Sequence, residues 1–316
     1  MGARHRRALS MAPHLDASDL EVHLRWPEVM QAIRDGHDTA PPQVDDTLIR
    51  RGDDSLLSRS AWIDGLGSLV KTALVFPDNG ARQIPTVHGA VALFSDRTGE
   101  LDATIDFHLL TRWKTAADSA LAASLLARPT SRRILIVGSG TIATAMIEVY
   151  RSVFPDARFT IWSRTSASSQ RLAALSGGIA VTDLESAVRD ADVISAATMS
   201  LEPLIRGQWL RAGQHIDLIG GYRPDMREAD DETIRRASVF VDSASTASDV
   251  GDVCQPLASG ILHRSDITDF AALAHGGFAR SGDDEITVFK NAGGAHLDLM
   301  VARHMFEQAT SAESSR

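Results

Sequence analysis

Apolar and polar positions along the chain fall into two textures. Between Leu56 and Asp106 the apolar residues come in short runs, Leu66–Val75, Val87–Ser95 and Leu101–Asp106, separated by Pro77-Asp78-Asn79-Gly80 and Asp96-Arg97-Thr98-Gly99. Those separators hold the residues that tight turns demand, so this stretch predicts a mostly antiparallel sheet. Upstream, Leu20, Leu24, Met30 and Ile33 fall near helical spacing in a helix opened at Ala17, capped by Ser18 or Asp19 and ended at Gly36. Pro27 lies in its early part, where a missing backbone donor costs least. Residues 1–16 read as a loose leader, and residues 37–55, rich in Pro, Asp and Arg, as loop with short strand fragments. Leu109 to Arg128 is rich in Ala and Leu without Gly or Pro, which predicts a long helix stopped by Pro129.

Beyond Pro129 strands alternate with helices. Arg133–Val137 reads as a buried strand, followed by Gly138-Ser139-Gly140 and a helix over Thr141–Val153. Strands at Phe159–Trp162, Val193–Ala197, Ile216–Ile219 and Ser238–Asp242 follow, with a helix around Ser169–Leu175. This alternation predicts an α/β fold with a doubly wound parallel sheet. A last helix runs from His296 to about Gln308, and Thr310–Arg316 is expected to fray.

Composition narrows the function. Against 41 Asp and Glu stand 32 Lys and Arg, a formal charge of −9, so no nucleic-acid-binding face is expected. The single cysteine, Cys254, excludes an intramolecular disulfide and a multi-Cys zinc site. No run approaches the roughly 18 apolar residues of a membrane span, and the basic N-terminal stretch lacks the long apolar segment of a secretory signal. A cytoplasmic protein without membrane partner or bound metal is the expectation. The acidic run Glu228-Ala229-Asp230-Asp231-Glu232 reads as a solvated helix start.

Gly138-Ser139-Gly140-Thr141-Ile142-Ala143 fits G-x-G-x-x-A between a predicted strand and helix, the context of a dinucleotide-binding loop. Gly138 permits the turn, Gly140 lets backbone approach a pyrophosphate, and Thr141 and Ile142 open the helix whose N-terminus favours anions. At the end of the next strand, an acidic residue would bind the ribose of NAD. Ser163-Arg164-Thr165 stands there instead and suits a 2′-phosphate, so NADP(H) is preferred and NAD(H) remains possible. Thr198 and Gly220 end later strands on the same ligand-binding edge.

Lys71 interrupts the apolar run Leu69–Val75, and a buried lysine with lowered basicity can exchange protons near neutrality. In order along the chain stand Lys71, Phe76-Pro77-Asp78-Asn79, Ile84-Pro85-Thr86-Val87-His88-Gly89, Asp96-Arg97-Thr98-Gly99, Leu110-Thr111-Arg112-Trp113-Lys114-Thr115-Ala116-Ala117 and Gly138-Ser139-Gly140. This set resembles the ornithine cyclodeaminase/mu-crystallin family over about residues 18–308. The resemblance implies a Rossmann-type NAD(P)-binding domain at 116–295 and a smaller, discontinuous α+β domain at 1–115 with 296–316. That smaller domain would bind substrate and form a homodimer through its sheet. It implies Lys71 as the residue that moves the substrate proton, and Thr86 in the nicotinamide pocket against both substrate and cofactor. Lys114 falls where most members carry an arginine that meets substrate carboxylate and cofactor. Arg59 is the nearest replacement for a second family arginine, absent around Pro41-Pro42-Gln43. The resemblance also implies that Asn291 and Ala292 lie in a loop that closes over nicotinamide, Asn291 toward cofactor and Ala292 toward substrate.

One departure bears on the reaction. Tyr222 occupies the position of the aspartate that activates ornithine in the cyclodeaminases, on the substrate side, and Asp225 reads as a turn residue. Reduction of a preformed imine needs no such base. The expected function is therefore that of an NAD(P)H-dependent oxidoreductase acting on CH–NH/C=N bonds. Its substrate would be a small cyclic imine carboxylate, foremost Δ1-pyrroline-2-carboxylate giving L-proline. Ornithine cyclodeamination and non-catalytic NADPH binding of the mu-crystallin type are the alternatives.

Overall fold

A computed structural model describes residues 12–314, and the statements below concern those residues. The first sheet holds β1 (His14–Leu15), β2 (Gln43–Arg51), β3 (Asp54–Ile63), β4 (Gly67–Val75), β5 (Val87–Phe94) and β6 (Leu101–Ile105). Its order is β1-β6-β5-β4-β3-β2, antiparallel except for β1 beside β6. Three expectations change here. Only residues 1–11 of the predicted leader lie outside the described part, since His14 and Leu15 pair with Thr104 and Ile105. The helix expected from Ala17 to Gly36 is two, α1 (Ala17–Leu20) and α2 (Trp26–His37), with extended backbone at Leu24 and Arg25. Pro27 restricts the residues before it and can enter a helix only in its first turn. The cap of α1 is Asp16, which accepts from the Ser18 amide at 2.9 Å. The stretch expected as loop carries the nine-residue edge strand β2, whose ladder comes from β3 and whose charges suit an exposed edge.

Helix α3 (Phe107–Leu126) is capped by Asp106, which accepts from the Leu109 amide at 2.7 Å. Its small residues Ala116, Ala117, Ala120, Ala122 and Ala123 are wholly buried, so it packs between the two sheets, touching β5 on one side. The second sheet contains β7 (Arg133–Val137), β8 (Arg158–Trp162), β9 (Ile179–Ala180), β10 (Val193–Ala196), β11 (His215–Leu218), β12 (Ser238–Val241), β13 (Ile267–Asp269) and β14 (Thr287–Lys290). It is parallel throughout, in the order β13-β12-β14-β11-β10-β7-β8-β9. The crossovers are α4 (Thr141–Val153), α5 (Ser166–Ser176), α6 (Leu184–Asp190), α7 (Asp231–Arg236), α8 (Ala244–Ala247) and α9 (Gly251–Ala258). Strand β14, which the sequence pattern does not reveal, lies between β11 and β12. From it the chain turns through Asn291–Gly294 into α10 (Ala295–Ser314), longer than expected. Helix α10 returns across β3 and β4 and seats Leu297, Val301 and Met305 in the first core.

Candidate active site

The strand order puts β7 between β8 and β10, the arrangement that opens a crevice at the carboxyl ends of a doubly wound sheet. Gly138 sits there with φ of 126°, its amide donating to the Trp162 carbonyl at 2.8 Å. A β-carbon would stand 2.6 Å from the Ala197 carbonyl oxygen, so only glycine fits this turn. Gly140 caps α4 with no side-chain bond and with open space where a β-carbon would be. The first-turn amides are thus left for an anion, with Thr141 exposed, Ile142 half-buried and Ala143 buried against the sheet. Beyond β8, Ser163 Oγ donates to the Thr165 carbonyl at 2.8 Å. Arg164 and Thr165 are exposed, and the Arg164 guanidinium has no hydrogen bond or ion pair among the described residues. These residues fit a nicotinamide dinucleotide: a cradle that a β-carbon would fill, a free helix N-terminus and an uncommitted cation.

Thr198 and Gly220 follow β10 and β11, and one carboxylate joins them. Glu228 Oε1 accepts from the Thr198 amide at 2.7 Å and its hydroxyl at 2.8 Å, and Oε2 accepts from the Gly220 amide at 2.7 Å. Here the expected solvated helix start is corrected. Glu228 and Ala229 are buried, and α7 begins only at Asp231, with Asp230 as its cap.

The first sheet faces this crevice with cations. Arg59 of β3 and Lys71 of β4 are directly opposed on the face that α10 covers. Lys71 Nζ donates to Asp298 Oδ1 of α10 at 2.8 Å and lies 5.1 Å from the Phe107 ring centre. Burial pulls the Lys71 ammonium below the usual lysine range, and Lys114 and Arg59 add to this against the opposing pull of Asp298. Burial works to raise the Asp298 carboxyl, but Lys71 and Lys114 hold it below its ordinary value. Its Oδ2 is buried without a hydrogen-bond partner. Arg59 donates to Asp46 Oδ2 at 3.0 and 2.7 Å and to the Gly293 carbonyl. Lys114 of α3 is buried beside the same glycine, where a β-carbon would come within 2.9 Å of its ammonium. Gly293, at φ of 78°, also donates its amide to Asp242. One turn after Lys114, Asp118 is buried and hydrogen-bonds to Asp242. Its carboxyl is pushed well up by burial and then by Asp242.

Of the predicted residues, Arg59 and Lys114 therefore meet the loop at Gly293, and Lys71 stands opposite Arg59 with its ammonium on Asp298. Asn291 itself anchors that loop, its amide donating to the Thr115 carbonyl and Ser119 Oγ at 3.0 Å each, so this NH2 faces α3. Ala292 is half-buried. Thr86 is exposed, and no hydrogen bond ties its hydroxyl to the cluster among the described residues. Tyr222 is 43% exposed, its ring 5.7 Å from the Arg223 guanidinium, and Arg223 pairs with Asp225 in an exposed turn. His296 packs 5.6 Å from His37, and burial pushes it down to about 3. Among the described residues no three His, Cys, Asp or Glu side chains are grouped for a metal ion. Asp46, Asp242, Glu228, Gly293 and Asp298 are the parts that sequence reasoning missed. Asp298 carried a signal like that of Lys71, a charge inside the apolar run Leu297–Val301.

A dinucleotide-type parallel sheet whose ligand edge faces a buried lysine and an arginine of a second sheet defines a nicotinamide-type oxidoreductase. The chain belongs to the ornithine cyclodeaminase/mu-crystallin family, whose profile matches residues 49–313. It is 45% identical over 306 residues to the Δ1-pyrroline-2-carboxylate reductase of Paracoccus denitrificans, covering 94% of this chain and 97% of that protein. Among solved structures it is similar to the Thermococcus litoralis Δ1-pyrroline-2-carboxylate reductase in complex with NADH and L-proline. The TM-score is 0.88 at 25% identity, over 95% of this chain and 98% of that one. It also matches an archaeal alanine dehydrogenase dimer with bound NAD, with TM-score 0.88 and 25% identity over 96% and 97% of the two chains.

Proposed function

We propose that the protein reduces a small cyclic imine carboxylate, Δ1-pyrroline-2-carboxylate to L-proline, with NADPH preferred over NADH. The observation that carries this reading is the buried Lys71–Asp298 pair, ringed by Lys114 and Arg59, opposite a glycine cradle for a dinucleotide. The eight-stranded sheet is the nucleotide lobe, and the six-stranded sheet with α10 is the substrate lobe. Lys114 and Arg59 bind the substrate carboxylate, and the fixed loop at Gly293 holds both cations toward it. Lys71, made more acidic by burial, donates its proton to the imine nitrogen, which raises the electrophilicity of the adjacent carbon. Asp298 orients the ammonium and keeps it charged until that transfer. A bound reduced nicotinamide supplies the hydride. Lys71 then regains a proton from water. No carboxylate stands at Tyr222 to activate an amine, which favours reduction over ornithine cyclisation.

NADPH and NADH should be assayed against pyrroline-2-carboxylate and piperideine-2-carboxylate, with L-ornithine and ammonia detection alongside. Imine-dependent oxidation of NADPH is expected, and Arg164→Ala should weaken NADPH by about 10- to 100-fold while sparing NADH, the loss of a charge-assisted hydrogen bond. Ammonia release from ornithine without imine turnover would sink the reading.

The outer face of the first sheet, away from α10, supports a homodimer. Ile49, Trp62 and Val70 are 58%, 53% and 40% exposed there, beside Ala90 and Ala92. Large exposed apolar side chains on one sheet face mark an association surface. Trp62→Glu is expected to convert a dimer to monomer in light scattering, and an unchanged mass would count against this face. Reduced nicotinamide and the single half-buried thiol of Cys254 accord with a cytoplasmic setting. No described helix is long and apolar enough to cross a membrane.

A further inference from the structure

Glu228 reaches beneath the carboxyl edge of the second sheet, where it is fully buried. Its three acceptor bonds bring the ends of β10 and β11 together. The fit is close, since a β-carbon on Gly220 would overlap the Thr198 main chain. Behind Glu228, Asp252 of α9 accepts from the Glu228 and Ala229 amides at 2.8 and 3.2 Å. Its second oxygen stands 3.4 Å from Lys290 Nζ, also buried, at the last position of β14. A line of buried charge thus runs from Lys290, the residue before Asn291, through Asp252 to Glu228 and out to Thr198 and Gly220. The neighbouring Arg227 binds Asp231 at 2.6 Å.

One ammonium faces two carboxylates in this cluster. Burial pushes Glu228 up to about 7, with Lys290 opposing and Asp252 adding to the rise. An ionised carboxylate only accepts, so it takes the hydroxyl hydrogen of Thr198 and leaves that oxygen with lone pairs on its outer side. When Glu228 is protonated it can instead donate to Thr198, whose hydroxyl then offers a hydrogen outward.

We propose that Glu228 is a positioning residue for the nicotinamide nucleotide. It holds the Thr198 and Gly220 main chains side by side and makes the Thr198 hydroxyl an acceptor for a ribose hydroxyl or a carboxamide N–H. This assignment rests on the nucleotide seat proposed above.

Glu228→Gln keeps the shape but has one acceptor oxygen, so its NH2 must confront an amide hydrogen of Thr198 or Gly220. Fluorescence titration with NADPH and NADH should show affinity lowered by about 10- to 100-fold. Wild-type affinity and kcat/KM should fall as pH drops through about 7, where Glu228 takes up its proton. In Glu228→Gln, which has no such proton to take, that acid limb should be gone. Thr198→Val serves if Glu228→Gln does not fold. It removes the hydroxyl through which Glu228 acts, so binding should weaken and the acid limb should be lost with it. A lower melting temperature with wild-type affinity and acid limb in the readable variant would overturn the proposal. Failure of the wild type to bind either nucleotide would overturn the nucleotide seat and this assignment together. Wild-type binding with an unaltered variant would overturn this assignment alone.

Discussion

Lys71→Met is expected to lower kcat for imine reduction by about 10²- to 10⁴-fold, the usual contribution of a positioned proton donor. Methionine keeps most of the side-chain volume in the apolar run of β4 and can rest against Phe107, as the lysine does. The nucleotide cradle lies on the other sheet, so NADPH affinity measured by fluorescence should stay near wild type. The substitution leaves Asp298 buried without its main counter-charge, and Asp298 should then hold a proton. A Lys71→Met/Asp298→Asn double variant removes that complication and should be no slower than the single one. A Lys71→Met enzyme that turns over within an order of magnitude of wild type would rule out Lys71 as the donor.

The parts of this machinery that the sequence discloses are those with local causes. Strand Arg133–Val137 and helix Thr141–Val153 emerge residue for residue because an apolar run, two glycines and a helical pattern are contiguous. Lys71 stands out because a charge inside an apolar strand must be compensated. Asp298 carries the same kind of signal, but its meaning depends on α10 recrossing the first sheet, a tertiary event with no local marker. Glu228 is hidden among the acids of Glu228–Glu232. Its neighbours cap and solvate α7, and only the fold separates the buried carboxylate from the half-exposed Glu232. Strand β2 is missed for a related reason, since its nine exposed residues are extended by pairing with β3 and bear no alternation of their own. Strand β14 has only four residues, and its place between β11 and β12 comes from the final return of the chain. Thr86 and Tyr222 are singled out by the family resemblance alone, and no contact among the described residues joins either to the Lys71 cluster, because neither carries a local signal that a tertiary neighbour completes.

Asp298→Ala is expected to destabilise the fold by about 3–5 kcal/mol, because it strands a buried ammonium between like charges. Lys71, Lys114 and Arg59 would then face one another with Asp46, paired to Arg59, and Asp242 as the near counter-charges. The folded protein can relieve this by releasing the Lys71 proton, whereas the unfolded chain keeps it up to the ordinary lysine value of 10.5. The unfolded state then binds more protons, so the variant's stability should rise with pH and the penalty should shrink toward 10.5. At the acid end the sign follows from Asp298 itself. Its depressed folded value gives the wild type stability that is fully present above 3.8 and lost only as pH falls through the lower folded value. The gap between wild type and variant should therefore be widest between 3.8 and 10.5 and close at both ends. Urea unfolding at a series of pH values measures it directly. Asp298→Asn, which retains an oxygen for Lys71, should recover part of the stability but not the charge that keeps the ammonium loaded. Its kcat should accordingly decline at a lower alkaline pH than that of the wild type. A pH-independent gap, or unchanged stability in Asp298→Ala, would mean that the Lys71–Asp298 pair is not the charge balance of this site.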